Sequence, residues 1–216
     1  MKLFIAALLG LPKTIYINFK VLKLSDAIKF PILVSHNIKI GKLKRNSIVI
    51  KCHAKFGLIK IGFGGSNAIV STRGKICLNK NSKIIFYGRA HFAEGTIIYS
   101  NGGIIKFLNN FSCNKNCFFS INTVDSFGED SMIGWNVSIR DSDGHKIHPV
   151  SKKNPNIYIG KHVWICSCVD ILKGTKVGDN CVIGYRSCCT GDNFKSNCLI
   201  GGYPAKIIRE NITWEF

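Results

Sequence analysis

Residues 159–189 read Ile159-Gly-Lys-His-Val-Trp164-Ile165-Cys-Ser-Cys-Val-Asp-Ile171-Leu-Lys-Gly-Thr-Lys-Val177-Gly-Asp-Asn-Cys-Val-Ile183-Gly-Tyr-Arg-Ser-Cys-Cys189, and every sixth position is apolar. The position after it is small in most repeats: Gly160, Cys166, Gly178, Gly184 and Thr190. Four places after each aliphatic residue come Val163, Val169, Thr175, Cys181 and Ser187, all small or β-branched. The same step reaches back to Phe127, Ile133 and Ile139, with Ser131 and Val137 at the fourth offset. A helix requires a period near 3.6 and a plain strand a period of 2, so a sustained period of six is neither alone. It fits a solenoid in which each hexapeptide makes one short strand and a corner, and three hexapeptides close a triangular coil. Such coils stack about 4.8 Å apart through parallel backbone hydrogen bonds, with the aliphatic residues forming interior ladders.

Outward from this stretch the pattern loosens. Between Ile40 and Leu108 there are Lys-Ile-Gly at 39–41 and 60–62 and runs such as Ile84-Ile85-Phe86, punctuated by Gly and Asn. These read as irregular coils of the same solenoid. The expected organisation is a cap over 1–36, a β-helix over 37–200 and a tail over 201–216. The apolar stretch Leu3–Leu11 is far short of the roughly 20 residues that cross a bilayer. No small-residue cleavage site follows it. It reads as a cap on the end of the domain, with a peripheral membrane contact as the alternative.

The 216 residues are 46% apolar and 19% charged, enough to bury a core and exclude a disordered chain. Lys+Arg total 30 against 12 Asp+Glu, a formal net charge of +18 that attracts polyanions, anionic lipids or phosphorylated small molecules. A nucleic-acid platform would interleave aromatic with basic residues, whereas the aromatic residues here are scattered through apolar runs, so no nucleic-acid partner is expected. The ten cysteines show no paired framework. Cys113 and Cys117 are spaced as a metal half-site without a matching half, so no metal is expected. Reduced thiols used as small apolar side chains point to the cytoplasm.

The register breaks once, between Ile139 and Ile159, twenty residues that push a loop out of the coil at about 140–156. It begins Arg140-Asp-Ser-Asp-Gly-His145-Lys-Ile-His148-Pro149. Loops on rigid scaffolds tend to carry function. Ligands this close on one loop make a poor metal cage, and an imidazole acting as a general base, steadied by a neighbouring carboxylate, suits the residues better.

Taken together, the hexapeptide ladder, Asp141-Ser-Asp-Gly-His145-Lys-Ile, Ile159-Gly-Lys-His-Val-Trp164-Ile165, Val177-Gly-Asp-Asn-Cys-Val-Ile-Gly184 and Gly201-Gly-Tyr-Pro204-Ala-Lys206 resemble the left-handed parallel β-helix acyltransferases. The branch resembled is the galactoside and maltose O-acetyltransferases and the sugar O-acetyltransferases of capsule and lipopolysaccharide clusters. The match is specific from about residue 120 onward. It implies an all-β, left-handed coil and a homotrimer with active sites between subunits. It also implies acetyl-CoA as cosubstrate and a sugar or polysaccharide precursor as acceptor.

By the same resemblance, His145 is the base that takes a proton from the acceptor hydroxyl. Asp143 or Asp141 orients it, and His148 is the alternative base. Trp164 lines the acceptor and pantetheine cleft, Ser167, Tyr185 and Thr190 contact the coenzyme, and Lys206 and Arg209 meet its phosphates. Asn122 is a candidate acceptor contact. Cys166 departs from the family's usual Gly, and Tyr185-Arg186 from its Ala-Gly. Two alternative functions are N-acetyl transfer to an amino sugar and a noncatalytic β-helix scaffold. A serine acetyltransferase would carry a large helical amino-terminal domain, which 36 residues do not provide.

Overall fold

In the computed structural model, residues 2–145 and 156–215 are described. The six-residue step closes into a three-faced parallel β-helix. The first face runs from Ile32–Val34 to Cys198–Gly202, the second from Ile38–Ile40 to Cys188–Cys189, and the third from Ile48–Ile50 to Asn193–Phe194. Along each face every strand pairs in parallel with the strands one coil before and one coil after. Up to Cys198–Gly202 the chain visits first, second and third face in turn, so successive strands are not partners there, as a solenoid requires; the strand that follows, Ala205–Glu210, turns back antiparallel on its predecessor.

The interior ladders hold the residues that the period selected. Ile133, Ile165, Ile183 and Ile200 stack on the first face. Phe119, Ile139, Ile171 and Cys189 stack on the second, and Phe127, Ile159, Val177 and Phe194 on the third. Val163, Val169, Thr175, Cys181 and Ser187 are all buried at the corners. All ten cysteines are unpaired thiols, and Cys181, Cys189 and Cys198 serve as core side chains.

Coil length tracks side-chain size. The register from Phe92 to Cys113 takes 21 residues and from Cys113 to Ile133 takes 20, whereas Ile165 to Ile183 takes 18. The longer coils enclose a packed column of Phe86, Phe92, Phe107, Phe111, Phe119 and Phe127, with Phe107 and Phe127 stacked at 5.2 Å. A wider loop of backbone needs larger rings to reach native packing density. The final coil is shorter again, 17 residues from Ile183 to Ile200, so the ladder steps by five from Cys189 to Phe194.

At the corners the chain turns through left-handed residues: Asp130, Asn136, His162, Cys168, Asn180, Arg186 and Asn197 all have φ between 52° and 60°. Asn and Asp tolerate that conformation best. Coils approach closely there. A Cβ on Gly128 would lie 2.2 Å from the Gly160 carbonyl oxygen, so the column admits no side chain.

Two sequence expectations are corrected. The register breaks more than once: residues 62–73 also leave the coil between the first and second faces. They are held by Asn114 and Asn116, which bond the backbone of Ser66, Val70 and Thr72 at 2.9 Å. The break was hidden because the upstream coils keep no six-residue step. The amino-terminal apolar segment also does not stop at Leu11. Helix α1 spans Lys2–Val21, continuing through Pro12, and its Phe4–Val21 stretch is long and apolar enough to cross a membrane. Tertiary contact carries the helix past the proline. Thr14, Ile17, Asn18 and Val21 are buried on the first strand, with the Asn18 amide donating to the Ile32 carbonyl at 2.7 Å and accepting from its N–H at 3.2 Å. A short helix, α2 (Leu24–Ala27), then leads to that strand, which already occupies Ile32–Val34.

Candidate functional site

The corner between the second and third faces carries most of the expected site. One coil before the loop, the chain turns there through Asn122 and Thr123. One coil after, it turns through Lys173 and Gly174, and two after, through Thr190 and Gly191. The loop leaves this column at Asp141 and returns at Ile157, and both feet are fastened to the preceding coil by buried carboxylates. Asp141 accepts the Asn122 N–H at 2.8 Å, the Thr123 N–H at 2.6 Å and the Thr123 hydroxyl at 2.7 Å. Asp125 accepts the Ile157 N–H at 2.8 Å. The Thr123 hydroxyl is also 3.2 Å from Asp125, but its single proton serves one carboxylate at a time.

These two carboxylates are fully buried and share Thr123. Burial pushes the Asp125 carboxyl up to about 7; the Ile157 N–H bond opposes this, the charge of Asp141 adds to it and the Thr123 hydroxyl opposes it more weakly. Its Oδ2 has no hydrogen-bond partner among the described residues. Holding its proton, Asp125 avoids placing a second charge in this buried corner beside Asp141. Sequence reading missed Asp125. It sits in an ordinary strand, and its role depends on a residue 32 positions away.

Beyond Asp141, Gly144 turns at a φ of +76° with open space around it, and His145 is exposed at the end of the described part of the loop. Asp143 forms an ion pair with Lys173 one coil on. Among the described contacts, then, Asp141 is engaged by Asn122 and Thr123, and Asp143 by Lys173. His148 lies outside the described residues. At the last turn of this corner, Asp192 gathers two expected coenzyme contacts, the Thr190 hydroxyl at 3.3 Å and the Lys206 ammonium at 3.8 Å. Lys206 and Arg209 are exposed on Ala205–Glu210, a strand that turns back antiparallel on Cys198–Gly202.

The remaining expected residues lie elsewhere. Trp164 stands on the outer side of the first face, 37% exposed. Ser167 and Tyr185 sit at the corner between the first and second faces. Tyr185 is 60% exposed, with the Arg186 guanidinium 5.5 Å from its ring centroid. Ser167 is buried: its hydroxyl accepts the Trp135 N–H at 3.2 Å and fills the space over Gly134. The second-to-third corner is the vertex of the triangle opposite the first face. One chain therefore brings Asn122, Asp143, His145, Thr190 and Lys206 to one edge, and holds Trp164 on the far side.

Trp164 is joined there by residues the sequence did not single out. The Trp214 ring is stacked on His162 at 4.0 Å with an interplanar angle of 4°, and lies 5.9 Å from Trp164. The Trp214 indole N–H donates to the His162 carbonyl at 3.1 Å. His162 was in view within the Gly-Lys-His-Val-Trp segment, but only folding back of the tail supplies its partner. Among the described residues no group of three His, Cys, Asp or Glu is placed to hold a metal ion.

The chain is similar to galactoside O-acetyltransferase of Escherichia coli strain K12, 34% identical over 128 residues, which are 57% of this chain and 62% of that protein. It is similar to the "Putative lipopolysaccharide biosynthesis O-acetyl transferase WbbJ" of the same strain, 30% identical over 161 residues, covering 64% of this chain and 80% of that protein. It is also similar to polysialic acid O-acetyltransferase of Escherichia coli O1:K1, 33% identical over 147 residues, though the match covers only 41% of that protein. The match therefore spans less than two thirds of both the galactoside and the polysialic acid enzymes. The crystal structure of the polySia specific acetyltransferase NeuO aligns with 86% of this chain and 89% of its own, at 25% identity and a TM-score of 0.45. No family model matches the chain.

Proposed function

The chain belongs to the hexapeptide-repeat acyltransferases of the left-handed β-helix class, and on that premise we propose that it is an acetyl-CoA-dependent O-acetyltransferase acting on a sugar or polysaccharide precursor. The observation that carries this reading is an exposed imidazole, His145, on a loop whose departure and return are both bolted to the coil by buried carboxylates. A base presented to solvent from a rigid frame is what an alcohol acceptor lacks on its own, and it is worth about 10²–10⁴-fold in rate.

In the proposed reaction His145 takes the acceptor hydroxyl proton as the oxygen bonds to the thioester carbon. The C–S bond then breaks, and His145 returns the proton to the departing sulfur. The products are the acetyl ester and the free thiol, with no acyl-enzyme. The Asp143–Lys173 ion pair steadies the segment just ahead of His145. Exposed Lys206 and Arg209 suit the phosphates of the coenzyme, and Tyr185, with its ring open to solvent, suits a flat face such as adenine. The separation of Trp164 from the His145 edge favours a site completed between chains of a homotrimer, acting in the cytoplasm.

The test is thiol release from acetyl-CoA across a panel of sugar acceptors. His145→Ala is expected to lower turnover at least 100-fold while leaving the oligomer and its melting temperature unchanged. Unchanged turnover in that variant would overturn the assignment of the base.

A further inference from the structure

The charge of this chain is not spread evenly. Residues 1–93 hold seventeen of the 30 Lys and Arg but only one of the 12 acidic residues, Asp26. The remaining residues carry thirteen basic side chains against eleven acidic ones and are close to neutral. A compositional bias acting on the whole chain would not sort the acids into one part of it. Because the solenoid advances steadily along its axis, the split in sequence is a split in space. One end of the molecule is strongly basic, and the coils with the His145 loop and the coenzyme-binding candidates are not.

The basic end is also the apolar end. Helix α1 presents Phe4, Leu8, Leu11, Ile15 and Phe19 to solvent, a stripe at the three-and-four spacing of one helical face. Phe4 is 73% exposed and Leu8 59%. Beside the stripe is an apolar groove of about 290 Å³, floored by Leu33 and Phe63 and edged by Phe56, itself 73% exposed. Basic residues adjoin it at Phe56, where Lys55, Lys60 and Arg89 line the neighbouring cavity, and a second basic cluster, Lys13, Lys39 and Arg73, surrounds Tyr16 of α1. Isolated exposed apolar residues need no explanation, but a continuous helical stripe with a groove and adjoining basic clusters does.

We propose that this α1 end is a docking surface for an anionic lipid bilayer, with α1 lying in the plane of the interface. The occupant follows from the charge: apolar side chains beside cationic clusters match acyl chains beneath anionic head groups. A second copy of the chain would bring the same cationic clusters against themselves. Crossing the bilayer is disfavoured by the packed side of α1, because it would break the Asn18 bonds to Ile32 and strip Ile17 and Val21 from the core. The surface is independent of the proposed acetyl transfer.

The test is flotation of the full-length protein with vesicles of phosphatidylcholine alone and of phosphatidylcholine mixed with phosphatidylglycerol. Binding is expected on the mixed vesicles, at least tenfold weaker on the neutral ones, and reversed by raised salt. Leu8→Asp with Ile15→Asp should abolish it. Lys55→Glu with Lys60→Glu should weaken it by at least tenfold, at about fivefold per lysine removed. All four side chains are exposed, so folding, read by circular dichroism, should be unaffected. His145→Ala should float like the parent. No flotation with mixed vesicles, or flotation unaltered in both paired variants, overturns the proposal. So does a drop in oligomer mass in the Leu8 and Ile15 variant without loss of vesicle binding, which would assign the face to contacts between copies.

Discussion

Asp125 shows how one carboxyl ties stability to pH. Its folded-state value, about 7, lies above the 3.8 of a free aspartate. Between those values the folded chain holds a proton that the unfolded chain lacks, so its contribution is fully present below about 3.8 and is lost as the pH rises through about 7. The expected cost of moving from pH 5.5 to pH 8 is about 2 kcal/mol. Asp125→Asn keeps an acceptor for the Ile157 N–H and cannot ionise, so its melting temperature should vary less across that range and exceed the parent's at pH 8. A variant with the parent's pH profile would show that Asp125 is not the titrating group. Asp141→Ala should act in the opposite sense. It leaves the Asn122 and Thr123 N–H groups unpaired and should cost about 2–4 kcal/mol, measured by urea unfolding. None of this was legible beforehand. Asp141 was in view only as a possible partner for His145, and the structure commits it to Asn122 and Thr123.

Among the elements, the corners repeat one conformation with different residues. Asn occupies the left-handed position at 136, 180 and 197, but Cys168 adopts it with a φ of 59° and no side-chain oxygen to support it. Cys168→Asn is therefore expected to stabilise the chain by about 0.5–1 kcal/mol in urea unfolding; a loss would mean that the thiol packs in a way the backbone does not reveal. The short coils could be read from the sequence because each of their strands contributes one aliphatic residue at a fixed interval. The long coils could not, because 20 or 21 residues do not divide into equal sixes and their interior is filled by phenylalanines. Helix α1 was half legible. Its apolar residues point both into the core and into solvent, which blurs the periodicity that marks a buried face.

For the molecule as a whole, the proposed trimer makes a demand that one chain can be tested against. If His145 of one protomer works with Trp164 of its neighbour, then neither His145→Ala nor Trp164→Ala alone leaves a complete site, but mixed trimers of the two do. Unfolding and refolding equal amounts together should restore activity in about a quarter of the sites, by random assortment. No recovery in verified mixed trimers would place both residues in one chain's site. The ends of the solenoid have a different consequence. Stacked coils expose unpaired strand edges at each end, and identical edges on two molecules could join without limit. Here α1 lies across the opening coil, the hairpin strand Ala205–Glu210 blocks the first face, and the last strands of the other two faces are only two residues long. These features act as chain terminators for a one-dimensional crystal. Deleting residues 203–216 opens only the closing end, since α1 still covers the other, and should turn a discrete particle into one of doubled mass, visible by light scattering; an unchanged mass would show that the short last strands suffice as terminators.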